Sequence, residues 1–209
     1  MSAPESARRP RSAEAAILVA TEQLLRQRAF SELAVNDIIE AAGVSRTSFY
    51  SHFASRSAVL AACLRRVVRE LAVAVDPFLT DAERDPETAI RVSLEGWVGV
   101  ATEHGALLRT ASEEWPHDPE LRALWCDVMA AFSAGTAHVI ERARAAGLAP
   151  PGADAEALAT CLMWGCERVL HVALVGGALG LDEPAAIVEP LAQMMLAGVF
   201  GGARRPAGA

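Results

Sequence analysis

Arg46, Thr47, Ser48, Tyr50, Ser51 and His52 place an arginine, three short hydroxyls, a phenol and an imidazole almost side by side, interrupted only by Phe49. The hydroxyls make single hydrogen bonds at short reach. Arginine adds a planar fork that fits a phosphate or a guanine edge. Phe49 and Phe53 lie one helical turn apart, so they share a face and leave the polar groups on the other. An apolar back and such a front suit a helix that reads base edges and grips phosphates in a groove. Arg56 supplies a further cation just beyond it.

Elsewhere the reactive side chains do not gather. His52, His104, His117, His138 and His171 are scattered without metal-ligand spacing. Cys63, Cys126, Cys161 and Cys166 show neither the close pairs of a zinc site nor the density of a disulfide framework, and read as free thiols in a reducing compartment. The chain has no lysine, which excludes a phosphate-loop lysine and a Schiff-base lysine. Neither a G-x-S-x-G nor an H-E-x-x-H pattern occurs, so the expectation is not an enzyme, with no metal and no cofactor. Gly176 to Gly180 reads as an interhelical loop. The first residues lack the apolar stretch of an export signal, and the nearly apolar run Val169 to Leu181 is too short to span a bilayer. A cytoplasmic protein without a membrane partner is expected.

The elements that must position the polar cluster are helical throughout, and no alternating strand pattern appears. A first helix at about 12–28 opens at Ser12 and is sealed by Phe30. A second at about 35–42 stops at Gly43, which supplies a left-handed cap without steric cost. Ser45 caps a third at about 46–52. A fourth begins after Ser55, carries an apolar stripe from Val59 to Leu71, and is expected to end near Asp76-Pro77. Body helices follow at about 86–103, 105–115, 119–146, 154–176 and 184–200, the last with a kink at Pro190. The fold class is therefore all-α, with about nine helices. It divides into a basic disordered arm at 1–11, a three-helix headpiece at 12–70 whose helix-turn-helix spans about 34–53, a helical body at 71–201 and a disordered tail at 202–209.

Charge divides the same way. Residues 1–70 carry a net +3 and residues 71–209 a net −10, within an overall −7. A polyanion can approach the basic end alone.

The run Gly43-Val44-Ser45-Arg46-Thr47-Ser48-Phe49-Tyr50-Ser51-His52-Phe53-Ala54-Ser55-Arg56, with Val35-Asn36-Asp37-Ile38 before it, resembles the signature of the TetR family of transcriptional regulators. The resemblance covers about residues 14–65. It departs at Arg56, where lysine is usual, and at Ser51, where many members carry a larger residue. It implies that Arg46, Thr47, Ser48 and Ser51 face bases or nearby phosphates, beside the cap Ser45. Tyr50, His52 and Arg56 would clamp the backbone, and Asn36 would sit where members often reach a base. Arg8, Arg9 and Arg11 would either enter a minor groove or form a solvated tail.

The body more weakly resembles the EthR-like branch of that family, through Leu124-Trp125, Met129, Phe132, Thr136, Val139-Ile140-Glu141, Gly147-Leu148-Ala149-Pro150, Leu162-Met163 and Glu167-Arg168. Long helices there surround a narrow apolar channel. Met163 and Cys166 stand at positions where the branch carries asparagine, and Gly135 at a tyrosine position, which implies a less polar channel. Ile90, Trp97, Trp125, Met129, Phe132 and Met163 fall on faces that could line it. Glu167 either pairs with Arg168 or turns its carboxylate into the cavity. The eighth helix is apolar almost all round, which points to burial on two sides and to a homodimer through the eighth and ninth helices. The function implied is a ligand-responsive, sequence-specific regulator: a repressor on palindromic double-stranded operator DNA, released by a small apolar effector.

Overall fold

The computed structural model describes residues 12–80, 85–175 and 183–201. The calls of an arm at 1–11, a tail at 202–209 and an interhelical loop at 176–180 lie outside the described residues. Among the described residues the secondary structure is entirely helical.

Helix α1 (Ala13–Leu25) starts where the Ser12 hydroxyl accepts the Ala15 amide at 3.1 Å. It ends earlier than its periodicity suggests. The amides of Gln27 and Arg28 both turn back onto the Leu24 carbonyl, and Phe30 then opens a single 3-10 turn (Phe30–Glu32) that plugs the end. The start of helix α2 (Val35–Ala42) is held by Asp37 in its first turn, whose carboxylate accepts the Ala34 amide at 2.7 Å. That bond, with the neighbouring Arg28 guanidinium, holds the Asp37 carboxyl below its ordinary range. At Gly43 the backbone passes through φ 64°, a left-handed cap that a side chain would strain. Helix α3 (Arg46–His52) follows, its first turn capped by the Ser45 hydroxyl on the Ser48 amide at 3.1 Å.

Helix α4 (Arg56–Thr80) is longer than expected and runs through Pro77. Proline removes one helical donor and displaces the next turn. Here a neighbouring helix repairs the damage, because the Phe78 amide donates to the Ser93 hydroxyl at 3.0 Å. The boundary expected between residues 70 and 71 thus falls inside one continuous helix. Its stripe Val59, Leu60, Cys63, Leu64 and Val67 is fully buried, and Leu71 and Phe78 carry the same face into the body.

Helices α5 (Pro86–Glu103), α6 (Gly105–Glu114), α7 (Pro119–Ala145) and α8 (Ala155–Val175) form the body with α9 (Val188–Phe200). Asp118 starts α7 by accepting the amides of Leu121 and Glu120 at 3.0 and 2.9 Å, which lowers its carboxyl pKa. Helix α5 presses closely on α4, since a Cβ at Gly96 would stand 3.2 Å from that of Ala74. Helices α7 and α8 are long and apolar enough to cross a bilayer by composition alone, and pack together here inside the helical body.

The stretch expected as one helix at 184–200 is a 3-10 turn (Pro184–Ile187) followed by α9. Pro190 falls in the first turn of α9, where its missing N–H has no helical partner to lose, so no kink is required there. Buried apolar residues join into one cluster from Ile17 in α1 to Val199 in α9.

Candidate functional site

The first candidate is the outer face of α3. Phe49 is fully buried and Phe53 nearly so, and their rings pack 6.2 Å apart at the base of the headpiece. This anchoring leaves Ser45, Arg46, Thr47, Tyr50, Ser51 and His52 exposed, with Ser48 half-buried among them. Asn36 on α2 is exposed beside them, and its Oδ1 accepts from Arg46 Nη1 at 3.0 Å. The Arg46 guanidinium also lies over the Tyr50 ring, 5.5 Å from its centroid. Asn36, Arg46 and Tyr50 therefore form a unit that orients one cation before any DNA arrives. The Ser51 hydroxyl donates to the Ser48 carbonyl at 2.7 Å and keeps its acceptor capacity. Thr47 and His52 make no hydrogen bond to the described residues and are free for an external partner.

Arg56, which the resemblance marks as a backbone clamp, also has an occupation inside the protein. Its Nη1 donates to the carbonyls of Leu33 at 2.6 Å, Phe30 at 2.8 Å and Ser31 at 3.3 Å, and the guanidinium stacks on the Phe30 ring at 4.7 Å. It ties the 3-10 turn to the start of α4. Arg56→Ala should destabilise the headpiece by about 2 kcal/mol, because carbonyls left without a charged donor lose a strong bond. Arg56→Lys should recover only part of this, lacking the planar fork. Urea denaturation of the three proteins checks both statements. Full stability in the alanine variant would show the bonds contribute nothing.

The second candidate is a cavity of about 120 Å³ inside the body. Ile90 and Trp97 reach it from α5, Trp125, Met129 and Phe132 from α7, and Met163 and Glu167 from α8. All seven of the residues expected to line a channel border this one space. The sequence reading placed it among α5, α7 and α8. The structure adds α4, through Leu64, Val68, Leu71 and Val75, and α6, through Leu108, Arg109 and Ser112. Cys166 also borders it, and burial pushes that thiol up to about 12, so it stays neutral. Apolar cavities of roughly 150 Å³ admit one benzene ring. A larger guest must therefore displace movable side chains such as Met129 and Met163. Glu167 pairs loosely with Arg168, whose half-exposed side chain brings a nitrogen to 3.6 Å from Oε2, and it borders the cavity as well.

One cluster that sequence reasoning missed joins the two regions. His104, buried at the α5–α6 junction, has Nδ1 3.4 Å from Glu22 Oε2 and Nε2 3.3 Å from Glu70 Oε2. Arg66 pairs with the same Glu22. These groups come from α1, α4 and the body, and no sequence spacing announces them.

A braced, exposed polar helix on a helical body that encloses a cavity defines a helix-turn-helix regulator that binds DNA. The pattern described as bacterial regulatory proteins, tetR family, matches residues 17–63, and that of the transcriptional regulator EthR, C-terminal domain, matches residues 87–201. The chain is 32% identical over 188 residues to the HTH-type transcriptional regulator EthR of Mycolicibacterium smegmatis, covering 90% of this chain and 86% of that protein. It is 31% identical over 189 residues to the EthR of Mycobacterium tuberculosis, covering 90% and 87%. In fold it is similar to a TetR-family transcriptional regulator from Rhodococcus sp., with TM-score 0.73 and 21% identity over 88% of this chain and 98% of that one. The protein belongs to the TetR family of transcriptional regulators, with a body of the EthR type.

Proposed function

We infer that this regulator is a cytoplasmic repressor, released from a palindromic operator when a small, largely apolar molecule occupies the cavity between α4, α5, α7 and α8. The observation that carries this reading is the double membership of α4. Val59, Leu60, Cys63 and Leu64 near its start hold the headpiece core, while Leu64, Val68, Leu71 and Val75 form one wall of the cavity. A guest that pushes that wall outward moves the helix on which α1–α3 are mounted. Only a guest that prefers the displaced state can do this, and emptying the operator takes several kcal/mol of differential affinity. Trp97 and Trp125 border the cavity and report its occupation. Titration with lipophilic aromatic and acyl compounds should change tryptophan fluorescence and release operator DNA over the same concentration range. Release without any change at the tryptophans would place the effector elsewhere.

The proposed homodimer pairs the outer faces of α8 and α9. Leu191 is 2% exposed and belongs to the core, and Leu174 borders the cavity, so neither is offered to a second copy. The exposed positions of α8 and α9 include Ala157, Cys161 and Ala197, beside the polar Thr160 and Gln193, and Trp164 and Met194 are half-buried. Small and apolar side chains allow helices of two copies to approach closely, and a two-fold pair of headpieces matches two half-sites. Cys161→Glu and Ala197→Glu should each give folded monomers in sedimentation equilibrium, since a paired interface would bury an uncompensated charge. Dimers of unchanged affinity in both variants would move the interface to another face.

A further inference from the structure

Glu167 is at odds with the apolar cavity it borders. Its side chain is 10% exposed. The Ser112 hydroxyl donates to Oε1 at 2.8 Å, but Oε2 has no hydrogen-bond partner. Arg168 offers Oε2 a half-exposed ion pair at 3.6 Å, beyond hydrogen-bond distance. One turn further along α8, His171 borders the same cavity with a buried and unpartnered Nδ1. Of the other polar groups on the wall, Thr136 Oγ1 is committed to Met163 Sδ and Ser93 Oγ to the Phe78 amide, while the Trp125 Nε1–H is buried without a partner. Buried acceptors are rarely left unpaired in a folded protein, because desolvation is costly and nothing repays it. Glu167 Oε2 and His171 Nδ1 belong to one helix face and to residues that border the same cavity, where a guest can partner them.

We propose that the effector is an amphipathic amine, whose N–H donates to Glu167 Oε2 while its apolar body lies along Trp97, Trp125, Met129 and Phe132. The proposal rests on the cavity's being the effector site. An ammonium head fits better than a hydroxyl. It carries charge opposite to the carboxylate, and it has donors to spare for His171 Nδ1 if that nitrogen accepts. Arg109 and the unpartnered Trp125 Nε1–H, also on the wall, would favour an acceptor or acidic head instead.

The test is calorimetric titration of the native protein at neutral pH with three probes of similar shape: 3-phenylpropylamine, butylbenzene and 4-phenylbutanoate. The amine should bind about ten- to a hundredfold more tightly than butylbenzene, the range of a hydrogen bond to a charged group. Glu167→Gln should shrink that advantage to about threefold or less. If the variant does not fold, the native comparison of amine with butylbenzene decides alone. Butylbenzene or the carboxylate binding as well as the amine would overturn the donor head and leave the cavity as the effector site. Binding of none of the three would overturn the cavity reading, and this proposal with it.

Discussion

Arg46→Ala should weaken operator binding by about 1–3 kcal/mol while leaving the headpiece folded. The side chain stands exposed at the start of α3, yet it is already oriented by Asn36 Oδ1 at 3.0 Å and by the Tyr50 ring. Truncation removes both the fork and the entropy that this arrangement has settled in advance. Nothing in the core depends on it, so thermal unfolding should hardly change. Tyr50→Ala should produce a loss of similar kind, because it removes a phenol on the same face and the support beneath the guanidinium. The sequence dependence separates base from backbone contact. A loss confined to the operator marks a base contact, whereas a loss on every duplex with a salt slope reduced by about 1 marks a phosphate contact. Operator affinity unchanged in both variants would remove α3 from the DNA interface.

Met129→Trp should abolish the effector response and spare DNA binding. Met129 is 7% exposed and sits on the cavity wall between Trp125 and Phe132, one turn from each along α7. A free volume near 120 Å³ cannot accept an indole in place of a thioether and still admit a guest. Overfilling should itself cost about 1–3 kcal/mol of stability, visible as a lower melting temperature. The headpiece lies outside this space, so operator affinity without effector should remain. A variant that still releases DNA with the effector of the native protein would show that the pocket lies elsewhere.

The headpiece was legible from sequence because its geometry is local. Gly43, Ser45, Phe49 and Phe53 act through backbone angles, one cap bond and one helical turn, all within a dozen residues. The cavity was legible in part: aromatic and methionine residues on three long helices marked a common face, whereas the α4 and α6 walls depend on how those helices cross. What failed was whatever depends on a partner distant in the chain. Pro77 looks like a stop until Ser93 takes the amide of Phe78. Arg56 gives no local sign that three carbonyls of the Phe30 turn converge on it. His104 looks like an isolated histidine until Glu22 and Glu70 close around it.

Because α4 belongs to both halves, the molecule has no seam along which it can be divided. A fragment cut at residue 70 would end in the middle of a helix and strip the cover from Val67 and Leu64, both buried in the intact chain. With a single apolar cluster reaching from Ile17 to Val199, melting one half removes the support of the other, and a single calorimetric transition is the expected result. The DNA reader in this protein is therefore not a module that can be borrowed. Transplanting it onto another sensor means transplanting all of α4, together with whatever surface the new sensor offers to Leu71 and Phe78.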